Sequence, residues 1–302
     1  MQDLQSELAR IIRYFSPRDG VHPSPVAGVY CVKHSTTSRR AKQPWRACFG
    51  IVAQGSKEIV LGRKAYQLDN VHYSATPIVL PVISRISSAT LEKPFLALLI
   101  DLDPLTLSEV TAQLEDRYPQ ANGSTARAFF RGKASERMLE AAVRLAKLFH
   151  TPEDTSVLGP LIIKEIFYYL LTGPEGSAIR QFVRSGSKTH KISQAIHTLT
   201  TGLNEEVDVP ALARNANMSR SAFFLHFKAA TAMSPIQYQK RLRLMEARRL
   251  MVDDGETAES SAFKVGYHSA SQFSREYSRM FGNSPSRDAM HLKTLVNGSE
   301  GK

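Results

Sequence analysis

Cysteine and tryptophan are nearly absent from this chain: two cysteines, Cys31 and Cys48, and one tryptophan, Trp45, in 302 residues. So few thiols give no disulfide framework, and a reducing cytoplasm is the natural compartment. Long apolar runs are missing too. No stretch approaches the roughly 18 consecutive apolar residues of a membrane span, so no membrane partner is expected. The first residues, Met1-Gln-Asp-Leu-Gln-Ser-Glu, are polar and acidic and do not read as a signal peptide. Acidic residues are in deficit, 28 against 39 Lys and Arg, a formal charge of +11 that suits a polyanionic partner. The surplus does not locate a face, because residues 1–185 carry 23 basic and 17 acidic residues and residues 186–302 carry 16 and 11. One local absence says more. No acidic residue lies between Asp208 and Glu246, whereas Arg214, Arg220, Lys228, Lys240, Arg241 and Arg243 do.

That acid-free stretch holds a two-helix pattern. Leu212-Ala-Arg-Asn-Ala216 reads as a short helix and Asn217-Met218 as a turn. Ser219-Arg-Ser-Ala-Phe-Phe-Leu-His-Phe-Lys228 reads as a second helix with Phe223 and Phe227 on one face. Two short helices joined by a tight turn is the layout of a helix-turn-helix reader. The pattern returns about fifty residues later. Ala213 corresponds to Ala262, Asn217 to Gly266, Phe223 to Phe273, Phe227 to Tyr277 and Ser234-Pro235 to Ser284-Pro285, with His268 inserted in the second turn. A repeated unit predicts two reading heads in one chain. Between them, Ser234-Pro235 opens a longer helix to about Met251, with Ser as cap and Pro in the first turn. Tyr238, Leu242, Met245 and Arg249 share a face of this bridging helix.

Residues 188–290 resemble the DNA-binding domain of AraC/XylS-type transcriptional regulators. The resemblance is carried by Leu212-Ala213, Met218-Ser219, Phe223, Phe227-Lys228, Thr231, Ser234-Pro235, Tyr238, Arg241-Leu242 and Ala247-Arg248. It continues in Ala262, Gly266-Tyr267, Ser271-Gln-Phe-Ser-Arg275, Phe281-Gly282 and Ser284-Pro285. The amino-terminal half resembles the cupin-like domain of one AraC-type subfamily, in Gly50-Ile-Val-Ala-Gln-Gly55, Tyr66, His72-Tyr73, Leu80-Pro81 and Phe95 to Pro104. Pro160 to Ile166 and Leu170 to Pro174 belong to the same likeness. The resemblance implies an α+β chain of two domains. The first, residues 1–184, is a small cupin-like β-barrel with appended helices that senses and dimerises. The second, 185–302, is all-α, with one helix-turn-helix unit at about 208–228, a bridging helix at about 235–251 and a second unit at about 258–281.

The pattern along the chain agrees with that division. Residues 2–15 form an amphipathic helix through Leu4, Leu8, Ile11, Ile12 and Phe15. Short strands follow at about ten-residue spacing: Val26–His34, Ala47–Gln54, a hairpin Lys57–Leu61 and Lys64–Leu68 around Gly62-Arg63, Val71–Ala75, Ile78–Ser87 and Phe95–Asp101. Pro81 inside such a run predicts an edge or bulged strand. Helices are expected over Leu105–Arg117, Ser135–Phe149 and Ser156–Leu171, with a stop at Gly173-Pro-Glu-Gly176 and a hinge at Arg184–Thr189.

By the family pattern, Ser269, Ser271, Gln272, Ser274 and Arg275 of the second head face the major groove. Arg pairs with guanine edges and Gln with adenine or a phosphate. Ser269 is equally suited to capping the helix. In the first head the matching positions are taken as Arg220, Ser221, Phe224 and Leu225. Phe224 and Leu225 are usually polar in the family. Here they can touch thymine methyls but cannot pair with guanine, so this head docks on phosphates through Arg220, Lys228 and Lys240. Arg241 and Arg248, on the bridging helix, suit either a phosphate or an internal salt bridge. Metal-binding cupins need two His one residue apart, a Glu and a further His. His72 stands alone, so no metal, no cofactor and no catalytic residue is expected. An apolar barrel can still hold a small organic effector, and Trp45, Phe49, Tyr66, His72 and Tyr73 are candidate lining, as they are candidate core. Cys48 is read as buried and inert rather than as a thiol sensor. The helices of 135–171 form a homodimer seam by the same resemblance.

The implied function is sequence-specific binding of double-stranded DNA that controls transcription. RNA polymerase is a further partner and a small-molecule effector the modulator. The location is cytoplasmic, of bacterial type, and nucleoid-associated when bound. The competing reading is a metal-free cupin-type enzyme with a helical tail; a nucleoid-type binder without sequence preference is a third.

Overall fold

The computed structural model describes residues 1–70, 72–114, 117–118 and 127–298. Helix α1 (Gln2–Tyr14) buries Leu8, Ala9, Ile11 and Ile12. Strands β1 (Gly20–Pro23), β2 (Val29–His34), β3 (Ala41–Trp45), β4 (Cys48–Gln54), β5 (Ser56–Leu61), β6 (Lys64–Asp69), β7 (His72–Thr76), β8 (Leu80–Ser88) and β9 (Phe95–Asp101) follow. Then come α2 (Pro104–Leu114), β10 (Phe130–Lys133), α3 (Glu136–Lys147), α4 (Thr155–Thr172) and α5 (Gly176–Val183). The carboxyl-terminal part is helical: α6 (Lys188–Thr201), α7 (Val209–Asn215), α8 (Arg220–Thr231), α9 (Pro235–Val252), α10 (Ala258–Lys264), α11 (Ala270–Phe281) and α12 (Pro285–Gly298). No single helix among the described residues is long and apolar enough to cross a membrane.

The strands form two antiparallel sheets, ordered β1-β2-β9-β4-β7-β10 and β3-β8-β5-β6. The expected barrel is therefore open: among the described residues no ladder joins the two sheets. The central strands carry the apolar runs, β4 and β7 being buried along nearly their whole length. Three strands escape the sequence pattern: β1, β3 and β10. All three are edge strands, which need only one apolar face and tolerate proline, as Pro23 and Pro44 illustrate. Pro81 departs from expectation in a different way. Its strand, β8, is internal, but Pro81 lies beyond the last pair with β5, Val60 with Ile83, and faces only Pro44 of β3. A register shift does occur in β8, at its far end, where Ser56 pairs Ser88 and Lys57 pairs Ile86.

The helix at Leu105 ends at Leu114, and residues 115–116, expected to extend it, lie outside the described residues, as do Val71 and the tail from 299. Helix α5 was not anticipated; it follows the Gly173-Pro-Glu stop at once. The expected hinge shrinks to Arg184-Ser-Gly-Ser187, because Ser187 already caps α6 by accepting from His190 N–H. Helix α5 packs on α6 across that turn.

One continuous core runs from α1 and the sheets through α3, α4 and α5 into α6, α7 and α8, ending at Tyr238 and Leu242 of α9. A separate core of Leu244, Ala247, Met251, Ala262, Val265, Phe273 and Tyr277 lies on the far part of α9. The first helix pair thus shares its core with the sheets, and the second has its own. The junction is marked by Tyr238 OH donating to the Val79 carbonyl at 2.7 Å and Ala128 N–H donating to the Ala230 carbonyl at 3.0 Å.

Gly266 closes α10 at φ +87°, and a Cβ there would stand 2.3 Å from the Asn204 carbonyl oxygen. Gly282 ends α11 at the same φ with nothing within 4 Å. Gly282→Ala is therefore expected to cost about 1 kcal/mol of backbone strain, and Gly266→Ala roughly 2–3 kcal/mol because strain and overlap combine. Urea unfolding of the two variants checks the difference; equal costs would show that the Asn204 approach does not matter.

Candidate nucleic-acid interface

Both helix pairs are built by the same local rules. Asp208 caps α7 by accepting from Ala211 N–H, with Pro210 in the first turn where its missing N–H costs nothing. The chain then turns through Asn217 at φ +51°, and Met218 N–H returns to the Ala213 carbonyl at 3.0 Å. In the second pair Thr257 caps α10, Gly266 takes the left-handed residue, and Tyr267 N–H returns to the Ala262 carbonyl at 3.0 Å. Ser219 caps α8 and Ser269 caps α11. The hydroxyl of Ser269 is thereby engaged by the helix start, accepting from Gln272 N–H at 3.3 Å.

These caps, with Phe223 and Phe273 buried in their cores, set the register between α8 and α11 at fifty residues. The counterparts of Ser271 and Gln272 are then Ser221 and Ala222, not Arg220 and Ser221. Down the outward side, Gln272, Ser274 and Arg275 of α11 correspond to Ala222, Phe224 and Leu225 of α8. Ser271, Gln272 and Arg275 are exposed and Ser274 is half-buried. Among the described residues Arg275 makes no hydrogen bond or ion pair. On α8, Arg220, Ser221 and Lys228 are exposed, Leu225 is 69% exposed, and Phe224 is half-buried beneath the Arg220 guanidinium, 5.9 Å from the ring centroid.

The basic residues counted along the acid-free stretch do not all face outward. Arg243 is an internal tie. It donates to the carbonyls of Leu203 at 2.7 Å, Glu205 at 2.6 Å and Gly266 at 3.1 Å. Lys240, expected at a phosphate, bonds Glu276 at 2.8 Å. Glu276 also accepts from Tyr267 OH at 2.8 Å and Gln272 Nε2 at 3.4 Å. Burial works against its charge, but the bonds from Lys240, Tyr267 and Gln272 hold its carboxyl below the usual range. Arg248 resolves to the internal option: it pairs with the buried Asp288 at 2.8 and 3.1 Å, lies over Phe281, and Asp288 accepts from Tyr277 OH as well. Glu276 and Lys42 were not singled out from sequence. Lys42 lies in no motif, Glu276 sits between Arg275 and Tyr277 of the second head, and the partners Met280 and Lys240 come from elements distant in the chain.

Arg241 instead faces the sheets. It lines a cleft of about 430 Å³ between β3–β8 and the helical part, with Lys42, Val82, Met233, Leu244 and Arg279. Lys42 donates to the carbonyl of Met280 at the end of α11. Burial, then the nearby charges of Arg241 and Arg248, draw the Lys42 amine below its ordinary pKa.

The five residues expected to line an effector pocket do not converge. Phe49 and Tyr73 are fully buried and stacked at 5.7 Å. Trp45 and Tyr66 flank Phe129 from the other sheet, at 6.3 and 4.6 Å. His72, adjacent to Tyr73 on β7, points to the opposite side of that strand, with its ring nitrogens on Asp69 at 2.6 Å and on Arg131. Strand alternation, invisible when residues are chosen by type, separates them. Among the described residues no three His, Cys, Asp or Glu side chains gather as metal ligands. Cys31 and Cys48 are buried and unpaired, their thiols pushed up by burial to about 12 and about 11.

Two family models match the chain: the AraC-type transcriptional regulator N-terminus over residues 25–178 and a helix-turn-helix domain over 212–289. Among curated proteins it is 30% identical over 145 residues to the raffinose operon transcriptional regulatory protein RafR of Pediococcus pentosaceus, covering 47% of this chain and 51% of that one. It is 28% identical over 101 residues to the transcriptional activator RhaS of Pectobacterium carotovorum, covering 33% and 36%. The chain thus spans about half, or less, of the length of the curated relatives it matches. A solved structure of ToxT from Vibrio cholerae with a bound unsaturated fatty acid superposes with a TM-score of 0.55 at 13% identity, over 86% of this chain and 92% of that one, a likeness of fold.

Removing the Arg243 tie is expected to loosen the two helix pairs. Arg243→Met should cost about 1–3 kcal/mol, since the part-buried Leu203 and Gly266 carbonyls lose a charged donor while Gln239 still reaches Leu203 and Glu205. Chemical denaturation checks this, and a loss below about 0.5 kcal/mol, the size of an ordinary surface change, would contradict the assignment.

Proposed function

The chain belongs to the AraC-type transcriptional regulators, and from that premise we propose that it controls transcription by binding double-stranded DNA at specific sequences, with α8 and α11 as its two recognition helices. The observation that carries the reading is the placement of two matched helix pairs on one shared helix, α9. Helices fixed in this way enter successive major grooves on one face of the duplex, about one turn or ~10 base pairs apart. Residues 1–184 act as the sensing unit and 185–302 as the DNA-binding unit.

Within α11, Arg275 reads a base edge, with Gln272, Ser271 and Ser274 beside it; Ser269 serves as the cap. Around α8, Arg220 and Lys228 hold phosphates, together with Ser221 near the helix start, where backbone N–H groups favour anions. Lys240 supports the second head through Glu276, which steadies Gln272, and does not itself face DNA. Control of transcription makes RNA polymerase a further partner.

The effector site fits the cleft between the two units better than the interior of the sheets. The cleft combines Lys42, Arg241 and Arg279 with Val82, Met233 and Leu244, and the carboxylate in its lining, Glu276, is paired with Lys240, so the lining suits a small amphipathic anion. The fatty acid carried by ToxT, which shares the fold, is of that chemical class. An occupant here would touch β3, α9 and the end of α11 together, so binding would couple to the position of the second head. A homodimer would form through α4. Helix α3 is buried against its own domain, but α4 leaves Val157, Leu158, Leu161 and Tyr168 exposed.

Selection from random DNA tests the main reading. The full chain should enrich two short elements about a turn apart, ~10 base pairs. Arg275→Ala should bind the best site about 1–3 kcal/mol more weakly and lose preference at one position of one element, whereas Lys228→Ala should weaken all sequences alike and lower the salt slope by about 1. Enrichment of no sequence, or an unchanged motif for Arg275→Ala, would contradict it.

A further inference from the structure

The two recognition helices are copies in backbone and opposites in surface. Where α11 presents Gln272, Ser274 and Arg275, α8 presents Ala222, Phe224 and Leu225 at the same register. All three polar reading positions of one head are apolar in the other. Leu225 is among the more exposed large apolar side chains of the molecule, at 69%. Among the described residues nothing covers it. Phe224 is held in place from below by the core and from above by the Arg220 guanidinium.

The surroundings of this apolar strip specify its occupant. Arg220 and Lys228 stand at its two ends on the same helix, and Arg214 is exposed on α7. No acidic residue occurs between Asp208 and Glu246. An apolar ridge framed by unopposed cations fits a surface with apolar points between two rows of anions. The major groove of duplex DNA offers this at thymine, whose C5-methyl is the one apolar group on a base edge, between phosphate backbones.

We propose that α8 reads the C5-methyl groups of thymines through Leu225 and Phe224, so that one half of the binding site is specified by apolar contact and the other by hydrogen bonds from α11. The proposal rests on the reading of α8 as a DNA-facing helix. It predicts an asymmetric site: a guanine-containing element under α11 and an element with thymines at one or two adjacent steps under α8. Leu225 carries the contact. Phe224 forms its wall, and Arg220 holds that wall while reaching a phosphate.

Replacing thymine by deoxyuridine removes only the methyl and leaves base pairing unchanged. The probe is a fluorescent duplex of the sequence that the full wild-type chain selects, titrated by anisotropy, with single deoxyuridine replacements through each element. Loss of one buried methyl should weaken wild-type binding about three- to fivefold at one or two positions of the α8 element. Replacements at thymines of the α11 element should have little effect, because that element is read by hydrogen bonds. Leu225→Ala, an exposed substitution that leaves the cores intact, should bind thymine and deoxyuridine duplexes alike. Equal wild-type affinity for thymine and deoxyuridine at every position would overturn the proposal. So would the same deoxyuridine penalty in wild type and Leu225→Ala, which would place the methyl contact elsewhere. A Leu225→Ala chain with altered oligomeric state and unaltered DNA affinity would also overturn it, marking the ridge as a protein contact. Absence of any selected sequence would instead remove the DNA-binding reading on which the proposal stands.

Discussion

The two reading heads are tied to each other through one guanidinium. Arg243 leaves the middle of α9 and donates to three backbone carbonyls, two from the 203–205 turn that precedes the first head and one from Gly266 in the turn of the second. Carbonyls of that kind cannot be satisfied by a regular helix or sheet, and a buried one without a donor is costly. Gln239, one turn earlier on α9, donates to the Leu203 and Glu205 carbonyls as well, and among the described residues Arg243 alone extends the tie to the turn of the second pair. Gly266 belongs to the same knot: its backbone passes so close to Asn204 and Arg243 that no side chain fits. The relative pose of α8 and α11 thus follows from satisfying backbone groups.

Around that knot the heads differ in what they answer to. The first shares a core with the sheets and touches them through Tyr238, Ala230 and Ala232, the last close against Gly62. The second has its own core, held by Arg248, Asp288 and Tyr277, and meets the sheets through Lys42 at the carboxyl end of α11. A cation suits that position, where the helix dipole is negative. The cleft beside it is lined by residues of both units. Anything that binds there competes for, or reinforces, the contact between Lys42 and α11, while the first head stays anchored.

Much of this was legible from residues alone, for definite reasons. Ser234 caps the helix it was expected to open, and Ser269 takes the capping role that was its alternative to a DNA contact, because a side-chain oxygen before a helix has one good use. Asn217 and Gly266 take the left-handed turns. The central strands were visible as apolar runs. The edge strands β1, β3 and β10 were not, since half of each faces water. The direction of charged side chains was not legible either. Arg243 and Lys240 counted toward a basic face, but one points into the knot and the other to Glu276, a residue that comes near only after α11 has docked. The repeat register was off by one at the start of α8 until the caps fixed it. The five aromatic and histidine residues proposed for a pocket were chosen by type, and strand alternation scattered them.

The account stands or falls on whether α8 and α11 form one rigid reader. The most direct test is the distance between spin labels attached at Asn215→Cys and Glu259→Cys, both exposed on the first helices of the two pairs and outside the residues assigned to DNA. The native thiols, buried and with raised pKa values, do not compete for the label. Pulsed electron–electron resonance on the full chain should give one narrow distance, the same in the free protein and on its selected duplex. A broad or two-peaked distribution in the free protein, or a different distance on DNA, would contradict it.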